Sequence, residues 1–153
     1  MRGGELLLSM ELRSDPEMLC VVRSALGKLT EKLGFAEAEC RAIVLAVDEA
    51  LTNIIRHAYK GETEQPIMAS FRRVQARPPE AHREAFEIIL EDQGVAVDRA
   101  ELCGRELEDV RPGGLGLHFI RESVDEVEFR RENGRNQLRL VKFMRTPEPG
   151  KGS

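Results

Sequence analysis

Three short segments hold residue types whose spacing could do chemistry. The first is Asp48-Glu49-Ala-Leu-Thr52-Asn53-Ile-Ile-Arg56-His57-Ala-Tyr59. On a helix, Glu49, Asn53 and His57 fall at i, i+4 and i+8 and share one face. A carboxylate there can serve as a general base, and an amide oxygen suits a hard cation such as Mg²⁺. One His, one Asn and one Glu make poor zinc chemistry. The second segment is Glu91-Asp92-Gln93-Gly94-Val95-Ala96 at the end of a strand-like run. An Asp carboxylate accepts from an exocyclic amine such as that of adenine, and a glycine at a sharp turn admits a close ligand. The third is Arg111-Pro112-Gly113-Gly114-Leu115-Gly116-Leu117, entering a helix. Its glycines can present consecutive N–H groups, and a helix N-terminus adds positive potential, which together suit phosphate. It matches neither the P-loop nor the dinucleotide-binding glycine pattern.

These segments need elements to position them. Residues 5–13 read as a strand. Ser14-Asp15-Pro16-Glu17 signals a helix start, with an oxygen cap, Pro in the first turn and an acid near the positive helix end. Met18, Leu19, Val22, Leu26, Leu29 and Leu33 follow at helical spacing, and Gly34 stops the run. A second helix is expected over 36–60, with Ile43, Val47, Leu51, Ile54 and Ala58 as its apolar stripe. Glu49, Asn53 and His57 would lie opposite that stripe. Residues 67–74 and 85–91 alternate as strands, joined by the polar loop 76–83. The span 93–116 reads as loop, and 117–124 as a short helix. A hairpin is expected from 126–132 and 136–145 around Asn133-Gly134. Runs of helices and hairpins, without strict alternation, point to an α+β two-layer sandwich. About three helices would cover one face of a mostly antiparallel sheet. The organisation expected is one domain over 1–146 and a disordered tail over 147–153.

Composition narrows the class. The 153 residues are 41% hydrophobic, but with six Phe, one Tyr and no Trp the core must be aliphatic. The 23 Lys and Arg against 27 Asp and Glu leave a net charge of −4, which disfavours direct nucleic-acid binding. No apolar run reaches the roughly 18 residues of a membrane span, and the N-terminus does not read as a signal peptide. Cys20, Cys40 and Cys103 form neither a disulfide framework nor a zinc pattern, so a reducing cytoplasm is expected. A conventional two-lobed protein kinase, at roughly 250 residues or more, would not fit this length.

Taken singly, each segment also reads as commonplace: a solvated helix face, an Asx turn, a glycine turn. Together they describe a Mg²⁺-nucleotide site without a P-loop. At these residues the chain resembles the anti-sigma-factor serine kinases of the RsbW and SpoIIAB type. Those kinases belong to the ATPase superfamily that includes gyrase, Hsp90, histidine kinases and MutL. The resemblance runs from about Leu6 to Arg145. It rests on Glu49-Ala-Leu-Thr-Asn53-Ile-Ile-Arg-His57-Ala-Tyr59, on Asp92-Gln-Gly94, and on Gly113-Gly114-Leu-Gly116-Leu117 continuing into Ile120-Arg121 and Asp125-Glu126-Val127.

The resemblance implies a Bergerat-type ATP-binding fold with ATP and Mg²⁺ as cofactors. It implies Asn53 as the Mg²⁺ ligand and Glu49 as the base that helps deprotonate an acceptor serine. Asp92 would accept from the adenine amine, with Gly94 allowing close approach. His57 would lie with the nucleotide-binding residues. Gly113, Gly114, Leu115, Gly116 and Leu117 would wrap the phosphates. Residues 99–112 would form an acidic lid, with Arg111 meeting the γ-phosphate charge. Ala96 departs from the family's DxGxG box, where a second glycine is usual. The implied partners are an alternative sigma factor, held inactive while bound, and a STAS-domain anti-anti-sigma protein bearing the acceptor serine. A homodimer is implied, and helix one, with Arg23, is the expected docking surface. The competing reading is a non-catalytic ATP-binding module that switches partners.

Overall fold

The computed structural model describes residues 4–96 and 114–145, with the backbone alone at 114–118. Five strands form one sheet: β1 (Gly4–Arg13), β2 (Pro66–Gln75), β3 (Glu84–Asp92), β4 (Glu126–Glu132) and β5 (Arg135–Phe143). Their order is β1-β2-β3-β5-β4, and every neighbouring pair is antiparallel. The helices are α1 (Leu19–Lys32), α2 (Glu37–Asn53) and α3 (Gly114–Ser123). Packing of α2 against both α1 and α3 places it in the middle of the helical layer. This is the α+β sandwich that the run of elements implied. Among the described residues, no helix is long and apolar enough to cross a membrane.

The period-two pattern decides which strand face meets the helices. Ile67, Ala69 and Phe71 on β2, and Phe86, Ile88 and Leu90 on β3, are fully buried. They pack with Leu140 of β5 and with Val22, Leu26, Ile43, Val47 and Leu51 of the helices in one core. Phe71 and Phe86 stack with ring centroids 6.1 Å apart. Complete burial of such side chains contributes about 1.5–3 kcal/mol each before entropy is counted. The opposite face of β3 is also closed, because Glu87 and Ile89 are covered by their neighbours. There Arg139 Nε donates to Glu87 Oε2 at 2.7 Å, with both side chains under a tenth exposed.

Local chemistry sets the element ends. Asp15 caps a 3₁₀ turn at Pro16–Met18 by accepting from Glu17 N at 3.0 Å. Ser14 does not cap. It is buried, donates to Glu62 O and accepts from Gln65 N, pinning the end of β1 to the approach to β2. Gly34 leaves α1 at φ +88°, a conformation glycine adopts without strain. The second helix departs from a regular helix over 36–60. The α-helical bonding ends at Asn53, and a π-turn runs through Ile54–Ala58. Tyr59 N there bonds Ile54 O, five residues back, at 3.0 Å. The third helix starts at Gly114, so Gly114 and Gly116 lie in its first turn rather than in a preceding loop. Arg111, Gly113, Cys103, the expected lid 99–112 and the tail 147–153 lie outside the described residues.

Candidate functional site

The site is built where the π-turn that follows α2 meets the turn that follows β3. Asn53 is the last residue of α2 and is only 9% exposed. It lies three and seven residues after the buried Ala50 and Ala46, on the small-residue edge of the core stripe. This corrects the expected placement on a face opposite the apolar residues. Its Oδ1 is buried and accepts no hydrogen bond among the described residues. A buried acceptor without a donor costs about 1–3 kcal/mol, so native structures keep few of them. A cation is the kind of partner that such an oxygen lacks. Glu49, one turn earlier, is half-buried and has no hydrogen bond or ion pair among the described residues. No group of three or more His, Cys, Asp or Glu side chains converges among the described residues. The Asn53 oxygen is the group here that would hold a hard cation such as Mg²⁺, an ion that needs few protein ligands.

His57 does not join them. The π-turn widens the helix immediately after Asn53, so four residues no longer bring a side chain back over its predecessor. His57 is exposed. The shared face therefore carries Glu49 and Asn53 but not the imidazole.

Asp92 closes β3 and is 4% exposed. Its Oδ1 accepts from Gly94 N at 2.9 Å and from Asn136 Nδ2 at 2.8 Å. Burial pushes its carboxyl above the usual range, while the bonds from Asn136 and Gly94 and the charge of Arg131 pull it back. With both bonds on Oδ1, Oδ2 is left without a hydrogen bond among the described residues. It is suited to accept from a ligand N–H.

Asn136 escaped the reading of the sequence. It is 2% exposed, lies directly opposite Asp92 in the β3–β5 register, and donates also to Val95 O at 2.9 Å. Arg131 Nη1 in turn donates to Asn136 Oδ1 at 2.7 Å and to Gly94 O at 3.1 Å. A signal was present. Asn136 precedes Leu138 and Leu140 at period two, and Asp92 follows Phe86, Ile88 and Leu90. Two polar residues thus occupy core-facing positions of adjacent strands.

Gly94 is required, but not by an open ligand space. A Cβ added to it would come within 2.4 Å of Ala58 O and 2.6 Å of Ala58 C. The close approach is made by the chain's own π-turn, and Val95 N donates to Ala58 O at 2.9 Å. The loop after Asp92 is thus fastened to the helix end that follows Asn53. For Gly114, Leu115, Gly116 and Leu117 the helical backbone of α3 is described. Arg23, expected on a docking surface, has Nη1 2.6 Å from Asp48 Oδ1, so it ties α1 to α2.

A buried, partnerless amide oxygen, a neighbouring carboxylate and a buried Asp at a tight turn form a recognisable set. The family model of the histidine kinase-like ATPase domain matches residues 12–142. The chain belongs to the histidine kinase-like ATPase family. Its relatives include serine-protein kinases. It is 31% identical over 150 residues to the serine-protein kinase RsbW of Halalkalibacterium halodurans, covering 92% of this chain and 85% of that one. The Bacillus pumilus RsbW is 28% identical over 146 residues, covering 90% and 86%. Solved structures share the fold at low identity. The RsbU and RsbW domains of a Mycobacterium tuberculosis protein match with a TM-score of 0.59 at 16% identity, over 92% of this chain and 34% of that longer one. The Pseudomonas aeruginosa SiaB-SiaC complex matches with a TM-score of 0.54 at 17% identity, over 92% and 91%. This member of the family carries Glu49 and Asn53 one turn apart on α2.

Proposed function

We propose that this member of the family is an ATP-dependent protein-serine kinase and anti-sigma factor. In this reading it sequesters an alternative sigma factor and phosphorylates a serine on a STAS-domain anti-anti-sigma protein. The serine-kinase assignment follows its RsbW relatives. The observation that carries the site is the buried, bondless Oδ1 of Asn53, one helical turn after Glu49.

Each residue has a defined task. Asn53 would hold Mg²⁺ through Oδ1, and the ion, when bound, supplies charge neutralisation at the phosphates. Asp92 Oδ2 accepts from the adenine amine and fixes the base. Glu49 takes the proton of the acceptor serine. As the serine Oγ–phosphorus bond forms, the bond from the γ-phosphorus to the bridging oxygen breaks, and ADP leaves with that electron pair. Such a transfer asks the protein chiefly for position and charge. The α3 N-terminus at Gly114, with Gly116 in its first turn, would present N–H groups to phosphate, together with Gly113 and Arg111. For the protein partners, exposed Val21 adds apolar surface to α1, the expected docking helix.

The test is transfer of label from γ-labelled ATP to a co-encoded STAS protein in the presence of Mg²⁺. Phosphoserine on that protein is expected. If ATP binds with a Mg²⁺-dependent affinity but no label is transferred, the protein is the non-catalytic partner switch instead.

A further inference from the structure

Tyr59 is the chain's one tyrosine, and it is 6% exposed. Its hydroxyl stands between two backbone groups far apart in sequence. It donates to Pro66 O at the start of β2 and accepts from Gln93 N at 2.8 Å. Burial raises its pKa, so the hydroxyl keeps its proton and its donor role through neutral pH. Gln93 is the residue after Asp92, so this bond acts on the peptide that aims the Asp92 carboxylate. Tyr59 itself directly follows the π-turn Ile54–Ala58, which begins one residue after Asn53. Among the described residues the loop has three further tethers, Ala58 O to Val95 N, Arg131 to Gly94 O and Asn136 Nδ2 to Val95 O. Of the four, the tyrosine tether is made by a hydroxyl that can be removed while leaving the ring that fills the core and the Asp92–Asn136 bond in place.

We propose that Tyr59 is a positioning residue for base recognition: its hydroxyl, by holding Gln93 to the helix end beyond Asn53, aims Asp92 Oδ2 at an exocyclic amine and so sets the preference for adenine nucleotides. The proposal rests on the ATP-site reading above. It separates two functions that share α2. Asn53 governs the phosphate end, and Tyr59 governs the selectivity of the base end.

The experiment compares dissociation constants for ATP and for purine riboside 5′-triphosphate, which lacks the exocyclic amine, at fixed Mg²⁺. The wild type is expected to prefer ATP. Tyr59→Phe is expected to shrink that preference about three- to tenfold, the worth of one well-placed hydrogen bond. Its affinity for the analogue should stay within about twofold of the wild type, because the triphosphate contacts are intact. A parallel weakening of both nucleotides would show a merely structural tyrosine and overturn the proposal, as would an unchanged ratio. Asp92→Asn is the control and should erase the preference. If Asp92→Asn keeps it, the base-site reading itself fails, whatever Tyr59→Phe does. Should Tyr59→Phe not fold, amide exchange on the wild type decides. Gln93 N–H should be protected, and more so with ATP than with the analogue. Exchange of that amide at the rate of an open loop under both conditions would overturn the proposal.

Discussion

Replacing Asn53 by Leu should move stability and ligand binding in opposite directions. In the free protein Asn53 is nine-tenths buried, with an oxygen that accepts nothing among the described residues. Leaving that acceptor unmet costs about 1–3 kcal/mol. Leucine is close in size, removes the unmet oxygen and adds apolar surface beside Ala50 and Ala46. A gain of about 1 kcal/mol is the conservative expectation, since the fit of the branched side chain offsets part of the relief. For a domain of this length that is an upward shift of about 2–4 °C in Tm. Nucleotide reverses the order. At Mg²⁺-ATP about a hundredfold above Kd, the wild type should gain about 2.7 kcal/mol, and the leucine variant should gain little. Melting curves with and without Mg²⁺-ATP should therefore cross. Without nucleotide the variant melts higher, and with it the wild type does. If the variant melts lower under both conditions, Asn53 is an ordinary structural amide and the cation assignment falls.

Other perturbations follow from the same geometry. Gly94→Ala drives a Cβ into the Ala58 backbone, so the loop must lift and give up the Val95–Ala58 bond; a loss of about 2–4 kcal/mol is expected in denaturant titration. Wild-type stability in that variant would show that the loop is not fastened there. Arg139→Met strands Glu87, and a cost of about 3–5 kcal/mol is expected, with Glu87→Leu in the same chain recovering most of it. No recovery in the double variant would mean that the pair does more than satisfy itself. For Asp92 the folded-state pKa lies above the unfolded value, so its contribution to stability is greatest at low pH and is lost as pH rises through the folded pKa. Asp92→Asn should therefore stabilise the nucleotide-free protein at neutral pH, and the advantage should shrink as pH falls through the carboxylate range. A pH-independent difference between the two proteins would contradict the desolvation argument.

Much of this fold was legible because apolar periodicity reports directly on burial. Ile67, Ala69, Phe71 and Phe86, Ile88, Leu90 alternate and are the buried face. Asn133-Gly134 marks the β4–β5 turn, where both residues take positive φ. Glu49 and Asn53 stand out through helical spacing, and Asp92 and Gly94 through a strand end followed by a turn; the structure places them at the end of α2 and the end of β3. The unread parts are those made by pairing. Asn136 meets Asp92 across 44 positions, and Arg139 meets Glu87 across 52. Neither pairing is visible until the strand order β1-β2-β3-β5-β4 is known. The π-turn has no recognised sequence signature, yet it exposes His57 and brings Ala58 against Gly94. At Gly94, where a ligand's close approach is expected, the crowding at the α-carbon comes from the protein's own Ala58.

The central claim is that Glu49 and Asn53 form the reacting end of a serine kinase. Single-turnover transfer from ATP to the STAS partner tests it most directly, with Glu49→Ala and wild type compared at nucleotide concentrations that saturate both. The expected result is phosphoserine with the wild type and, with Glu49→Ala, a rate lower by about 10²–10⁴ while ATP affinity is retained, the usual worth of a positioned base. Transfer at the wild-type rate by Glu49→Ala would contradict it.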